Sequence, residues 1–249
     1  TEITRIDLRF ALMVEDMKRF GSGFFPTING VPYPDYPVFW VFCSWLTTLG
    51  GNWVNQWSLA LPSMLGGAYL IALTARIGDR IRPGIGVAAA AFSMLSPEYL
   101  MSFLGFGIDI PVAAASATAI FLLENPSPRP RRWVAVFGLL AIAFAMRGGL
   151  GIILAGAAIT GYLAGCRRWR DMLLFWMIGG IAAAAGIAVS IGLIYRQGGM
   201  ALLRDCWHWQ IASRIGRENE LFYYFTSGLA SFAPLTPVAL LLLVMTRRA

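Results

Sequence analysis

Long apolar segments, each bounded by charged or turn-forming residues, fill most of the chain after residue 52. A helix that crosses a bilayer needs about 20 residues, so segments of this kind predict transmembrane helices. The segments are residues 57–74, 83–101, 110–123, 133–145, 150–163, 173–194 and 229–245. The pattern predicts an all-α polytopic membrane protein with about six to seven transmembrane helices. Only residues 146–149 separate the fourth and fifth segments, which are either two tilted spans with a tight turn or one bent pair.

The first 20 residues have a different pattern, in which apolar side chains recur at intervals of three and four. These side chains are Ile6, Phe10, Met13, Met17 and Phe20. Charged residues, Asp16 among them, occupy the rest of the predicted helix surface. A helix of this kind is amphipathic, and we expect it to lie on the membrane surface before the first span.

A turn-rich stretch follows the amphipathic helix. Gly21–Gly23 ends that helix, and three prolines between residues 32 and 37 then exclude regular helix and stiffen the backbone. They hold Asp35 between Tyr33 and Tyr36 in a rigid loop.

The sequence predicts a single transmembrane module. Residues 1–52, which end in an aromatic stretch suited to the membrane interface, are predicted to form an external juxtamembrane loop. Residues 53–249 are predicted to hold the transmembrane helices and their connecting loops. We interpret this module, residues 1–249, as part of a longer chain.

Composition supports a membrane protein and excludes several classes of site. Hydrophobic residues make up 57% of the chain and charged residues 13%, about half the ~25% of an ordinary globular domain. This excludes a disordered chain and disfavours a soluble domain. The single histidine excludes a metal site with several His ligands, and three cysteines are too few for a disulfide framework.

Arginine is concentrated in four short stretches. Eleven of the arginines lie there, with only Asp79 within these stretches and Glu124 and Asp171 beside them as acidic residues. The stretches are residues 76–82, 129–132, 167–170 and 247–248. Because short cytoplasmic loops carry an excess of Lys and Arg, we assign these stretches to the cytoplasm. The segments that carry Asp7, Asp35 and Asp109 then face outward.

Five motifs occur in the order found in one family of membrane enzymes. They are Asp-x-Arg-Phe-Ala at 7–11, Asn-Gly-x-Pro-Tyr-x-Asp-x-Pro at 29–37, Ile-Asp-Ile-Pro at 108–111, Met-Arg-Gly at 146–148 and Glu-Leu-Phe-Tyr-Tyr at 220–224. This ordered set resembles the GT-C glycosyltransferases, and most of all their aminoarabinose transferase and protein mannosyltransferase branch. The resemblance implies a GT-C fold, in which an external loop with juxtamembrane helices precedes the spans.

The resemblance also implies an activity and a location. GT-C enzymes of this branch move a sugar from a polyprenyl phosphate carrier to a lipid, glycan or protein acceptor, as in cell-envelope glycosylation and lipopolysaccharide modification. We expect an inverting hexosyl- or pentosyltransferase in the bacterial inner membrane, with its active site facing the periplasm or the exterior. Its partners would be the lipid-linked sugar, the acceptor and membrane lipids, with no nucleic acid.

The resemblance assigns roles to individual residues. Asp7 would act as the general base or as an aligning carboxylate, with Asp109 as a second catalytic acid. Apart from the resemblance, the residues themselves make Asp35 and His208 candidate ligands for a divalent metal ion. The predicted substrate-binding residues are Asp35, Tyr33, Tyr36, Arg9, Arg147, Arg214, Arg217 and Tyr223.

A structural role is open for each of these key residues. Asp7 could be an ordinary residue on the polar face of a surface helix, and Asp35 a turn residue. Asp109 could serve as the N-cap of a helix that has Pro111 in its first turn. Arg147 could be an interfacial arginine that only extends its charge to the polar region. His208, between two tryptophans, could be structural.

Two departures from the family pattern keep other functions open. Relatives often have an adjacent acid pair where this chain has Ile6 and Asp7, and aminoarabinose transferases have a lysine where it has Tyr36. The alternatives are a degenerate family member that binds the lipid carrier without catalysis, or a non-enzymatic transporter or flippase component.

Overall fold

The computed structural model describes residues 5–124 and 130–208, without the side chains of residues 5–7, 81, 97 and 98. The predicted span at 229–245 and the predicted substrate-binding residues Arg214, Arg217 and Tyr223 lie outside these residues. The helices are α1 (Arg5–Phe20), α2 (Val38–Thr47), α3 (Gln56–Ile81), α4 (Ile85–Met94), α5 (Pro97–Leu104), α6 (Asp109–Leu123), α7 (Pro130–Arg147), α8 (Gly149–Gly165) and α9 (Trp169–Trp207). Between α1 and α2, β1 (Thr27–Ile28) and β2 (Val31–Pro32) form a short antiparallel hairpin.

Most predicted spans correspond to one helix each, and local sequence explains where those helices begin. The longest of the early helices, α3, starts with a capping box: Asn55 accepts from the backbone N–H of Ser58, and Ser58 accepts from that of Asn55. Within the described residues, Gln56–Arg80 and Trp169–Trp207 are long and apolar enough to cross a membrane. Several of the other apolar helices are shorter.

The predicted span at 83–101 is wrong as one continuous helix, because the chain breaks between α4 and α5. Pro97 lacks a backbone N–H and disfavours helical geometry in the residue before it. The helix α4 therefore ends at Met94, and Ser96 caps α5 by accepting from the backbone N–H of Tyr99.

The helix α6 lies at the centre of the bundle and packs against α3, α7 and α8. Its alanine-rich sequence permits close approach of neighbouring helices, which is how helices associate in lipid. The fully buried side chains of Leu123, Val136 and Ile159 show that α6, α7 and α8 share one apolar core.

Charged groups gather at the two ends of α6. At the end near Leu123, Arg80 pairs with Glu124, and Arg168 donates to the backbone carbonyl of Leu123. Arginines from separate predicted cytoplasmic stretches thus meet at one end of the bundle. The helix begins at the other end with Asp109, which faces Arg147.

The predicted amphipathic helix is confirmed as α1, but its apolar stripe packs mainly on the protein. Phe10 and Met13 are buried, and the ring of Phe10 stacks on that of Phe106 with centroids 4.0 Å apart. Phe106 in turn meets the buried Trp40 of α2 edge to face. Phe20, at the end of the stripe, is 63% exposed. Most of the described part of this apolar face therefore attaches α1 to the bundle, and Phe20 at its end does not.

Candidate active site

The stretch of residues 24–37, called here the outer segment, contains the hairpin and the predicted site residues Tyr33, Asp35 and Tyr36. Its hairpin is fixed to α1 by Asp16, whose Oδ2 accepts from the backbone N–H of Gly30 over 2.8 Å. Asp16 was expected on the charged surface of the helix, but it is only 6% exposed. The expectation fails because a carboxylate is the natural partner for an N–H group that the tight hairpin leaves unpaired.

Two further contacts hold the outer segment. Arg9 Nη1 donates to the hydroxyl of Tyr33 over 3.0 Å. Gln197 of α9 pairs with the backbone of Phe25: its Oε1 accepts from the Phe25 N–H and its Nε2 donates to the Phe25 carbonyl, both over 3.0 Å. Residues far apart in sequence thus fix the loop that carries the candidate chemistry.

Tyr36 lies where the outer segment meets α7. The guanidinium carbon of Arg147 is 5.1 Å from the centroid of its ring, and the ring of Phe10 is 6.0 Å away. Burial raises the pKa of the Tyr36 hydroxyl, and the neighbouring charge of Asp35 raises it further, against the opposing effect of Arg147. The hydroxyl is therefore protonated at neutral pH and can donate a hydrogen bond.

Arg147 and Asp109 form an ion pair in which Nε lies 3.1 Å from Oδ1. The arginine side chain is 19% exposed and the aspartate side chain 58% exposed. The Nε–H of Arg147 nevertheless has no hydrogen-bond partner in the part of the chain that the structure describes. Arg147 is thus attracted to the charge of Asp109 and still has an N–H group that can donate a hydrogen bond to a ligand.

The N-cap alternative for Asp109 is wrong. Ile108 occupies the N-cap position, no side chain caps the helix there, and Asp109 is already within the first turn of α6. A carboxylate in the first turn still interacts favourably with the positive end of the helix dipole. The side chain of Asp109 is therefore directed to Arg147 and solvent rather than to the backbone.

A tight turn places Arg147 at the site. Of the two alternatives for residues 146–149, the structure has two helices, because α7 ends at Arg147 and α8 begins at Gly149. Gly148 between them has φ 65° and ψ −147°, a conformation that is nearly exclusive to glycine. A Cβ atom on Gly148 would lie 3.6 Å from Pro37, so the turn also lies against the end of the outer segment.

The remaining predicted residues are placed less completely. The backbone of Asp7 lies one turn before Phe10 in α1, but its side chain is outside the described set. His208 is exposed at the end of α9. No group of three or more His, Cys, Asp or Glu side chains that could hold a metal ion occurs among the described residues. The metal site at Asp35 and His208 stays a prediction, and no chemical step is derived through it.

Asp16 and Gln197 were missed from the sequence. Asp16 is one of several charges on an amphipathic helix, and nothing in its spacing separates it from the others. Gln197 did offer a signal, since it is an amide at the end of a long apolar run, directly before Gly198 and Gly199. Paired glycines mark a break in a helix, and a polar side chain there is free to serve the backbone of another segment.

The arrangement is suited to an anionic substrate with a sugar. Arg147 supplies fixed positive charge, while Asp35 and Asp109 supply carboxylates. Tyr33 and Tyr36 provide aromatic surface and hydroxyl groups. Such a combination can neutralise a phosphate and hold the hydroxyl groups of a sugar next to it.

Comparison with known proteins gives one family and one solved fold. A family model described as dolichyl-phosphate-mannose-protein mannosyltransferase matches residues 33–195, more than half of the chain. These residues include Tyr36, Asp109 and Arg147. No sequence among the curated proteins matches the chain.

The solved structure is the crystal structure of ArnT from Cupriavidus metallidurans in the apo state. It superimposes with a TM-score of 0.66 at 20% identity, over 92% of this chain and 44% of that one. The chain therefore has the same all-α membrane fold and spans less than half the length of that protein.

Proposed function

Because the chain belongs to the dolichyl-phosphate-mannose-protein mannosyltransferase family of GT-C membrane glycosyltransferases, we propose that it transfers a sugar from a polyprenyl phosphate donor to an acceptor. The acceptor is a lipid, a glycan or a protein. The donor, the acceptor and the activity itself are part of this proposal, since the chain spans less than half of the structurally similar protein.

The observation that carries the proposal is the meeting of Arg147, Asp109 and Tyr36 at one end of the bundle. A half-buried arginine beside a carboxylate is costly in a membrane protein and is a functional candidate by default. The family match supplies the chemistry for which such a group is needed.

The proposed reaction is a direct displacement with inversion at the anomeric carbon. The acceptor oxygen forms a bond to that carbon while the bond from the carbon to the phosphate oxygen breaks. A carboxylate, which we assign to Asp7, takes or aligns the acceptor proton. The departing lipid phosphate keeps the electron pair of the broken bond, and Arg147 stabilises its negative charge.

The other predicted residues complete the substrate site in this proposal. Arg9 holds Tyr33, and Tyr33 and Tyr36 contact the sugar. Asp35 is assigned to sugar hydroxyls or to a divalent ion. Arg214, Arg217 and Tyr223 are assigned by family resemblance to further phosphate and sugar contacts. Asp109 holds Arg147 and adds a second carboxylate.

We place the site at the periplasmic or exterior face of the bacterial inner membrane. The support is the distribution of charge, since the arginine-rich turns meet at the far end of α6 from Asp109. Excess arginine marks the cytoplasmic side of short loops. Cysteine labelling from either side of sealed vesicles, at Arg170→Cys against Asn52→Cys in a cysteine-free chain, tests this orientation.

Transfer of a radiolabelled sugar tests the function. Membranes that contain the chain in its full-length gene product receive a polyprenyl phosphate with a labelled sugar. We expect transfer that Asp7→Asn abolishes and that the matched change Asp171→Asn, at the opposite end of the bundle, leaves unchanged. Loss of transfer in the presence of EDTA would show that the reaction needs a divalent metal ion.

Full activity of Asp7→Asn would reject Asp7 as the base. Binding of lipid-linked sugars without transfer to any acceptor class would reject the enzyme in favour of a carrier-binding protein.

A further inference from the structure

The starts of α7 and α9 carry the same short sequence, two arginines followed by a tryptophan. This Arg-Arg-Trp motif occupies residues 131–133 in the first turn of α7 and residues 167–169 at the start of α9. Arg170 adds one more positive charge to the second motif. Both motifs lie at the end of the bundle opposite Arg147, so the reaction proposed above does not use them.

The two motifs are neighbours in the folded chain. The ring of Trp133 stacks on that of Phe137 with centroids 6.2 Å apart, and Phe137 stacks on Phe175 of α9, also at 6.2 Å. Phe137 lies about two helical turns into α7, and Phe175 lies about two turns into α9. Both helices therefore begin at the same level, side by side.

The acidic side chains at this end of the bundle are already engaged. Glu124 pairs with Arg80, and Asp171 pairs with Arg168. The Oδ1 atom of Asp79 accepts from two backbone N–H groups at the start of α4. The other arginines of the two motifs have no ion pair within the described residues, and they are Arg131, Arg132, Arg167 and Arg170. This end therefore carries positive charge that the described chain does not neutralise.

Local structure disfavours arginine in both motifs. The first turn of α7 holds Arg131 and Arg132 and no acidic residue, although the positive end of the helix dipole repels cations there. Arg167 has φ 55°, and its N–H and that of the next residue bond back to carbonyl groups of α8. Glycine is the usual residue at this position of such a helix end. Positions at which a sequence goes against local preference are expected at functional sites.

The surroundings of the motifs fit a lipid head group. Trp169 is 55% exposed and Trp133 is half-buried, and tryptophan prefers the level of the head groups in a bilayer. Arginine binds phosphate through paired hydrogen bonds, and basic clusters beside transmembrane helices bind anionic lipids. Val134 and Leu173, which follow the two motifs, are exposed and offer apolar contacts to acyl chains. A phosphate that carries acyl chains therefore matches this surface better than a free ion does.

We propose that the two Arg-Arg-Trp motifs form a binding site for the head group of an anionic phospholipid. The arginines donate to the lipid phosphate, and the tryptophans lie beside it at the membrane interface. A bound phosphate places negative charge at the start of α7, where the helix dipole favours it, and so offsets the local cost of Arg131 and Arg132. This site does not depend on the proposed sugar transfer.

Lipid retention measures the site without any transfer reaction. The chain in its full-length gene product is equilibrated in detergent micelles with equal amounts of phosphatidylglycerol and phosphatidylcholine. Native mass spectrometry then counts the lipids that stay bound. We expect phosphatidylglycerol to be retained about tenfold over phosphatidylcholine. Inorganic phosphate at the same concentration should not displace it, because burial of the acyl chains contributes to binding.

Two matched double variants separate a site from diffuse charge attraction. Arg131→Gln with Arg132→Gln removes two charges from the motifs. Arg76→Gln with Arg82→Gln removes two exposed charges at the same end of the bundle but outside the motifs. We expect the first double variant to lower the preference for phosphatidylglycerol about tenfold and the second to lower it less than about twofold.

A third variant, Arg167→Gly, distinguishes loss of the site from loss of the fold. Glycine adopts φ 55° without strain, so this chain should unfold at the same temperature as the unchanged chain or at a higher one. It should nevertheless lower the preference for phosphatidylglycerol about fivefold, because one basic residue is lost.

Equal losses in the two double variants would overturn the inference, because the attraction would then belong to the whole charged surface. Equal retention of the two lipids by the unchanged chain, or an unchanged preference in Arg167→Gly, would overturn it as well. Displacement by inorganic phosphate would reject a lipid as the ligand in favour of a free anion.

Discussion

Two turns at the outer end of the bundle share a backbone conformation and differ in what their polar side chains do. Gly148, between α7 and α8, has φ 65° and ψ −147°, and Gly199, within α9, has φ 65° and ψ −156°. Arg147 lies directly before the first turn, and Gln197 lies two residues before the second. Both side chains reach the outer segment, Arg147 at Tyr36 and Gln197 at Phe25.

The difference lies in how completely each side chain is paired. Gln197 uses its carbonyl and its amide group in two 3.0 Å hydrogen bonds to one backbone unit. Arg147 has five N–H donors, and its Nε–H is unpaired within the described chain although a carboxylate lies 3.1 Å away. The same glycine conformation thus occurs beside a side chain that fixes the outer segment, Gln197, and beside one that presents a charged hydrogen-bond donor, Arg147.

The largest expected effect comes from removing the charge at the first turn. Arg147→Gln should lower sugar transfer by a factor on the order of 100 to 1,000, because a fixed donor to a developing charge is lost. Thermal unfolding should change little, since the ion pair with Asp109 is partly exposed. Transfer by the variant and by Arg170→Ala, an exposed arginine at the other end, is measured in the same membranes.

Retained transfer in Arg147→Gln would support the alternative that Arg147 only extends its charge to the membrane interface. Arg147→Lys sharpens the result, because a lysine keeps the charge but lacks the planar fork of donors. We expect it to recover part of the activity.

The second effect separates backbone strain from function. Alanine at either glycine must adopt φ 65°, which costs about 1–3 kcal/mol. Space is not the limit, since a Cβ atom on Gly199 meets nothing within 4 Å and one on Gly148 makes ordinary contact with Pro37. Gly148→Ala and Gly199→Ala should therefore lose similar stability in thermal unfolding.

Transfer should distinguish the two variants. Gly148→Ala displaces Arg147 and should lower transfer beyond its effect on stability. Gly199→Ala should lower transfer less. The reverse order would mean that the second turn carries the chemistry.

The sequence predicted the helices well because apolar periodicity depends on local residues. Most predicted spans became helices, and the resemblance pointed to Tyr36, Asp109 and Arg147, which the structure brings together. The break at Ser96 followed from Pro97, but an apolar run on both sides concealed it.

Contacts between distant segments could not be predicted in the same way. Gln197 and Phe25 are 172 positions apart, and their pairing depends on the position of α9 beside the outer segment. Asp16 is similar, since its partner is a backbone N–H that only the folded hairpin exposes. The sequence around Gln197 and Asp16 does not indicate which backbone group each side chain binds.

The third prediction is that Gln197 has a structural role, in which its side chain holds the outer segment against α9. Gln197→Ala leaves the N–H and carbonyl of Phe25 without their partner, which costs about 1–3 kcal/mol of unfolding free energy. Alanine is a good helix former, so helix propensity does not add to the loss. Gln197→Glu keeps an acceptor for the N–H but loses the donor, and its stability should fall between those of the other two. Equal stability of all three chains in thermal unfolding would mean that the two hydrogen bonds do not hold the outer segment.

The smallest effect is expected for an ion pair at the end of the bundle opposite Arg147. This prediction tests whether any ion pair in the bundle supports transfer, or only the one at the turn between α7 and α8. Arg80 pairs with Glu124 and lies over the ring of Phe121, with its guanidinium carbon 3.9 Å from the centroid. Both charged side chains are more than a third exposed, so Arg80→Ala should cost only about 0–1 kcal/mol. Transfer should equal that of the unchanged chain, because this pair lies at the far end of α6 from Asp109. Thermal unfolding and the radiolabel assay measure the two quantities in one preparation. A loss of transfer as large as that of Arg147→Gln would show that ion pairing anywhere in the bundle supports activity, and the contrast between the ends would fail.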